Sequence, residues 1–115
     1  MPSIHYYGNI LLQQLLVCDF IDGRVYDSYD EMNQKTKQAC LQCVKQLHSS
    51  NVLHGDLRAP NFIVQFQHDI KVFVIDFGRS KILEKNATIQ EKKEFGKSLV
   101  TEMKHFRSDL KLHKY

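Results

Sequence analysis

Two spacings of apolar residues organise this chain, one close to two residues and one between three and four. Leu15-Leu16-Val17-Cys18-Asp19-Phe20-Ile21 is a short β-prone run closed by Asp22-Gly23, a turn signal, and it predicts a strand followed by a linker. Ile4 to Tyr7, ended by Gly8-Asn9, is a candidate hairpin partner for it. After Asp30, Met32, Thr36, Ala39/Cys40, Cys43/Val44 and Leu47 recur at the spacing of a half-buried helix, which Ser49-Ser50-Asn51 ends. Phe62-Ile63-Val64 and the run Ile70 to Ile75 predict two strands joined near Gln67-His68-Asp69. Residues 79–90 read as irregular, and Glu91 to His113 carries a second helical stripe at Phe95, Leu99, Met103, Phe106 and Leu110. The order is strand, helix, loop, hairpin, helix: an α+β pattern without internal repeats.

The loop between the first helix and the hairpin reads His54-Gly55-Asp56-Leu57-Arg58-Ala59-Pro60-Asn61, and the hairpin runs into Asp76-Phe77-Gly78. A carboxylate and an amide thus stand five positions apart on one loop, with a second carboxylate at the end of an apolar strand. Such groups suit phosphoryl transfer from ATP: one carboxylate to orient and deprotonate a hydroxyl, an amide oxygen and the other carboxylate to hold Mg²⁺ against the phosphates. The pairing resembles the catalytic loop and D-F-G element of the protein-kinase-like superfamily. In that comparison Leu15 to Ile21 is similar to the strand entering the hinge, whose backbone at Asp19, Phe20 and Ile21 would bind adenine. Residues 1–23 then resemble the end of the small lobe and 24–115 the core of the large lobe, a partial kinase-like fold.

The resemblance implies named roles. Asp56 would be the base and Arg58 a cation steadying the transferring phosphate, while Asn61 and Asp76 would hold the metal and, through it, the nucleotide. His54 would hydrogen-bond the loop backbone, Phe77 would pack, and Gly78 would supply backbone freedom after the metal ligand. The Gly-rich phosphate loop, the strand Lys and its Glu partner have no counterpart, so a partner or another segment would complete the small lobe. Phosphate positioning, and with it turnover, would be weak without them. His-Gly-Asp in place of His-Arg-Asp, with a short activation segment, is similar to the small atypical kinases: RIO-type and KEOPS-complex kinases, lipopolysaccharide kinases and aminoglycoside phosphotransferases. A hydroxyl on protein Ser or Thr is the leading acceptor; a small-molecule acceptor and a non-catalytic binding module are the rivals.

Composition changes little in this picture. The chain has 115 residues, 43% hydrophobic and 25% charged, which suits one ordinary globular domain with a modest core. Its net charge is +3, and Lys residues concentrate in the last third with Glu and Asp interleaved, so a solvated helix face is expected rather than a nucleic-acid surface. No run is long enough to span a membrane and no signal-peptide pattern opens the chain, which points to an intracellular protein with reduced cysteines. Cys40-x-x-Cys43 lies within the helical stripe and has no second pair at zinc spacing, so both read as small buried hydrophobes. His5, His48, His68, His105 and His113 show no ligand spacing, and surface positions are expected for them.

Overall fold

The computed structural model describes residues 23–112. The expected strands within residues 4–21, with the adenine-contact candidates Asp19, Phe20 and Ile21, lie outside that range. In chain order the elements are β1 (Arg24–Val25), a 3₁₀ turn (Tyr29–Glu31), α1 (Gln34–Ser49), β2 (Val52–Leu53) and a second 3₁₀ turn (Ala59–Asn61). They continue with β3 (Phe62–Phe66), β4 (Ile70–Val74), β5 (Lys81–Ile82) and α2 (Ile89–Leu110). β3 and β4 form the predicted hairpin, paired from Phe62 opposite Val74 to Phe66 opposite Ile70 and turned by Gln67 N–H donating to the Asp69 carbonyl.

The boundaries differ from the pattern where capping chemistry decides them. Asp30 does not open α1. Ser28 caps the 3₁₀ turn that contains Asp30, and the Asn33 side chain accepts from Thr36 N–H at 2.8 Å, so the helix starts at Gln34. Met32 stays buried ahead of the helix. α2 starts earlier than the stripe suggested, because Thr88 and Glu91 form a reciprocal capping box. It ends at Leu110, with Lys111 left-handed at φ 54°.

Three two-residue strands had no periodic signal. β1 adds to β3 as the outer strand of a three-stranded antiparallel sheet, Arg24 opposite Val64 and Val25 opposite Ile63. Gly23 leads into it where a Cβ would fall 2.6 Å from Ile63 Cγ2 and 2.9 Å from the Val64 carbonyl, so no larger residue fits that approach. β2 and β5 pair antiparallel, Val52 opposite Ile82 and Leu53 opposite Lys81. That ladder ties the segment after Gly78, read above as irregular, to the loop containing Asp56.

α1 packs across β4, and α2 lies against α1, β2 and the Tyr29 turn. Where these meet, Phe62 stacks on Phe106 with ring centroids 5.6 Å apart, and Tyr29 meets both edge-on at 6.1 and 5.8 Å. Both helical stripes point into this core: Cys40, Val44 and Leu47 are fully covered on α1, as are Phe106 and Leu110 on α2. The structure is α+β, as the sequence pattern predicts, and one aromatic cluster joins the hairpin to the last helix. Phe106→Ala is expected to lower stability by about 3–5 kcal/mol through lost burial and the cavity left behind. Val100→Ala, on the exposed face of α2, should stay within about 0.5 kcal/mol. Urea unfolding followed by circular dichroism measures both, and similar losses in the two variants would contradict this placement of the core.

Candidate active site

Asp56, Asn61 and the residue before Asp76 are joined by a closed ring of hydrogen bonds. The backbone N–H of Asp56 donates to His54 Nδ1 at 3.1 Å. Nδ1 is therefore the acceptor nitrogen, which puts a ring proton on Nε2. Nε2–H donates to the Ile75 carbonyl at 2.8 Å, and Ile75 N–H donates to the Asn61 carbonyl at 2.8 Å. Asn61 Nδ2–H closes the ring on the Asp56 carbonyl at 2.7 Å. His54 is fully buried, and Phe77 packs edge-on to it with centroids 5.0 Å apart. His54 thus hydrogen-bonds the loop backbone, and Phe77 fills the space beside it, as their positions in the motif implied.

The ring leaves the chemically useful atoms outside it. Asn61 spends its Nδ2 on the backbone, so its side-chain oxygen is the group left to face a ligand. Asp76 is exposed at the end of β4, in the left-handed region at φ 63°. That conformation is uncommon for a residue with a side chain and costs of order 1–3 kcal/mol, though Asp tolerates it better than most. The left-handed backbone is thus at Asp76, not at Gly78, where a Cβ would make only an ordinary 3.5 Å contact with Asp76 Oδ1. Asp56 is partly exposed, and Arg58 reaches back to it with Nε 3.4 Å from Oδ1. Among the described residues no three His, Cys, Asp or Glu side chains gather into a metal site. The candidate ligands are one carboxylate and one amide oxygen, a hard-oxygen pair that suits Mg²⁺ when phosphates and water supply the other positions.

Gly55 cannot be replaced. Its φ is +89°, and a Cβ there would lie 2.4 Å from the Arg79 carbonyl, so the loop and the segment after Gly78 meet backbone to backbone. The reading His-Gly-Asp therefore has a steric cause within this chain.

Glu102, on α2, holds the same loop from behind, and the motif reading did not find it. One oxygen accepts from Gly55 N–H at 2.7 Å, and the other accepts from His54 N–H at 3.2 Å and lies 2.7 Å from His48 Nε2. Burial would raise the Glu102 carboxyl, but the His48 contact and the two loop amides outweigh it and hold it below its ordinary value. His48 is consequently not a free surface residue: its side chain is 12% exposed and faces α2. The signal was present in the pattern. Glu102 stands three residues after Leu99 and four before Phe106, within the stripe that the helix buries.

The cysteines behave as small hydrophobes. Cys40 and Cys43 are buried, with Cys40 Sγ 3.9 Å from Met32 Sδ and Cys43 Sγ donating to the Val72 carbonyl. Burial pushes both thiols up to about 12. The lysines of α2 and of the segment before it are exposed, and no described helix is long and apolar enough to cross a membrane.

Loop, hairpin and anchoring helix make up a partial protein-kinase-like fold. Residues 16–105 match the lipopolysaccharide kinase (Kdo/WaaP) family, and the chain belongs to that family of kinase-like phosphotransferases. It is also similar to a Casein kinase 1-like protein HD16 of Oryza sativa subsp. japonica, 27% identical over 68% of this chain and 13% of the relative. A probable serine/threonine-protein kinase PknB of Lactococcus lactis subsp. lactis (strain IL1403) is 29% identical over 77% of this chain and 15% of its own length. A mitogen-activated protein kinase of Fusarium vanettenii is 35% identical over 70% of this chain and 21% of its own. The chain thus spans no more than about a fifth of these relatives.

Two outcomes follow from this geometry. Because its folded pKa is depressed, Glu102 contributes stability that is present above its unfolded value, about 4.3, and is lost as pH falls through the folded value. Glu102→Gln should cost about 1–3 kcal/mol near neutral pH and flatten the loss of stability below pH ~4.3. Urea titrations at a series of acidic pH values measure this, and parallel curves for parent and variant would contradict the anchor. In the native chain Cys40 and Cys43 should resist iodoacetamide at pH 8, because only a trace is thiolate there. Peptide mapping by mass spectrometry checks this, with rapid native-state labelling of either as the contrary result.

Proposed function

We propose that this chain is the catalytic core of an ATP- and Mg²⁺-dependent phosphotransferase acting on a hydroxyl acceptor, with protein Ser or Thr as the leading acceptor. The observation that carries the reading is the hydrogen-bonded ring, which couples the positions of Asp56, Asn61 and the strand end at Asp76 before any ligand arrives. Bound MgATP would supply the γ-phosphoryl group and the metal charge that offsets its oxygens. Asp76 and the Asn61 side-chain oxygen would hold that metal. Asp56 would accept the proton of the attacking hydroxyl, and Arg58, paired with Asp56 in the resting structure, would turn to the transferring phosphate. The acceptor oxygen bonds to phosphorus, the bond to the bridging oxygen breaks, and ADP leaves.

The names of the relatives favour a protein acceptor, whereas the family's name, lipopolysaccharide kinase, favours a saccharide hydroxyl as the second reading. Both use the same roles for Asp56, Asn61 and Asp76. Asp76→Asn should weaken MgATP binding roughly tenfold or more, the scale of one lost contact between charged groups, while metal-free ATP binds nearly as before. Asp56→Asn should bind MgATP like the parent and lose transfer. Calorimetric titrations with and without Mg²⁺ read this division; equal losses in both variants, or no effect of Mg²⁺ on the parent, would contradict the assigned roles.

A further inference from the structure

A groove of about 550 Å³ runs along the catalytic-loop face of α2, with Gly55, Asp56 and Leu57 on one wall and the helix from Lys97 to Asp109 on the other. Neither Asn61 nor Asp76 lines it, so it meets the candidate base on a flank separate from the two candidate metal ligands. An acceptor hydroxyl arriving here would reach Asp56 without displacing anything held by Asn61 and Asp76.

The helix wall has a defined chemistry. Lys97, Thr101 and His105 recur every fourth residue and so form one stripe along it, and all three are exposed. No side chain of the three makes an ion pair or hydrogen bond among the described residues. The acid on the same wall, Glu102, is committed to His48 and to the two loop amides, and Asp56 is paired with Arg58. The groups free to meet a ligand are therefore, in order along the helix, the Lys97 cation, the Ser98 and Thr101 hydroxyls, the His105 imidazole and the Asp109 carboxylate. From Lys97 to Asp109 the helix rises about 18 Å, the length of about five extended residues. A single sugar ring would leave most of that stripe unfilled.

We infer that this groove is the acceptor subsite and that it takes an extended peptide whose Ser or Thr hydroxyl faces Asp56, with an acidic side chain on one flank reaching the Lys97–His105 stripe. The inference rests on the phosphotransferase reading of Asp56. Asp109 makes the groove directional: an acidic side chain is favoured at the Lys97 end and opposed at the far end. The preference is moderate, because the pairing groups are exposed.

The test uses the full 115-residue chain and fluorescence anisotropy with dye-labelled seven-residue peptides. Each peptide has a central Ser; it is flanked by Glu on the N-terminal side, by Glu on the C-terminal side, by Lys, or by Ala alone. One of the Glu peptides should bind roughly three- to tenfold tighter than the Lys peptide. Lys97→Glu should invert that order, whereas Lys93→Glu, an exposed change outside the groove, should preserve it. MgATP affinity by calorimetry should be the same for Lys97→Glu and parent; a loss there would place Lys97 on the nucleotide side and overturn the inference. Equal binding of all the peptides alongside normal MgATP binding would overturn the inference alone. An inverted peptide preference in a chain that shows no Mg²⁺-dependent ATP binding would instead sink the phosphotransferase reading alone. Tighter, Lys97-dependent binding of a sugar phosphate than of any peptide would overturn the peptide inference and leave the phosphotransferase reading in place, with a saccharide acceptor.

Discussion

Asp56, His54, Ile75 and Asn61 close a ring of four hydrogen bonds, and the candidate site has its shape because that ring has no slack. Two of its members lie on the loop that leaves β2, one lies at the start of β3 and one at the end of β4. A shift in any of these segments breaks a bond around a fully buried imidazole. An unpaired amide or carbonyl there costs about 1–3 kcal/mol, so the segments move together or not at all. The ring uses backbone atoms and the non-ligand ends of side chains. The carboxylates of Asp56 and Asp76 and the oxygen of Asn61 are left over, which is what a preorganised site requires.

The ring is in turn held against the rest of the fold from two sides. Glu102 reaches it from α2 through the amides of His54 and Gly55. The Phe62–Phe106 stack fixes the distance between that helix and the hairpin. Core packing and site geometry are therefore coupled: Phe106 is one turn beyond Glu102, so loosening the stack moves the carboxylate that positions the loop. On the other side, the β2–β5 ladder and the Gly55–Arg79 contact press the segment after Asp76 onto the same loop. These backbone contacts hold the segment after Gly78 against the loop.

Much of this was legible in the sequence because it rests on local rules. The hairpin from Phe62 follows from β-branched and aromatic residues with a polar turn, and the two helices from stripes of Cys40, Val44 and Leu47 and of Phe106 and Leu110. That Asp56, Asn61 and the strand end at Asp76 lie close together was legible from the motif spacing, and the hydrogen-bonded ring joins those same segments. What stayed hidden depends on contacts between distant segments. β1, β2 and β5 are two residues each, too short to show a period, and exist only because a partner strand lies beside them. Glu102 and His48 looked like solvated helix residues until α1 and α2 were packed face to face. The left-handed backbone was expected at Gly78 by residue type, and tertiary geometry placed it at Asp76 and Gly55 instead.

The central claim is that the ring presents Asn61 and Asp76 to one metal–nucleotide unit. Replacing Mg²⁺ by paramagnetic Mn²⁺ during an ATP titration of ¹⁵N-labelled chain tests it directly, because broadening falls off steeply with distance from the ion. The account predicts that the amides of Asn61 and Asp76 broaden first, and only when nucleotide is present, while those of Lys104 and Lys111 on α2 stay sharp. Broadening centred instead on Asp27, Asp30 and Asp109, or spread evenly over the acidic residues, would contradict it.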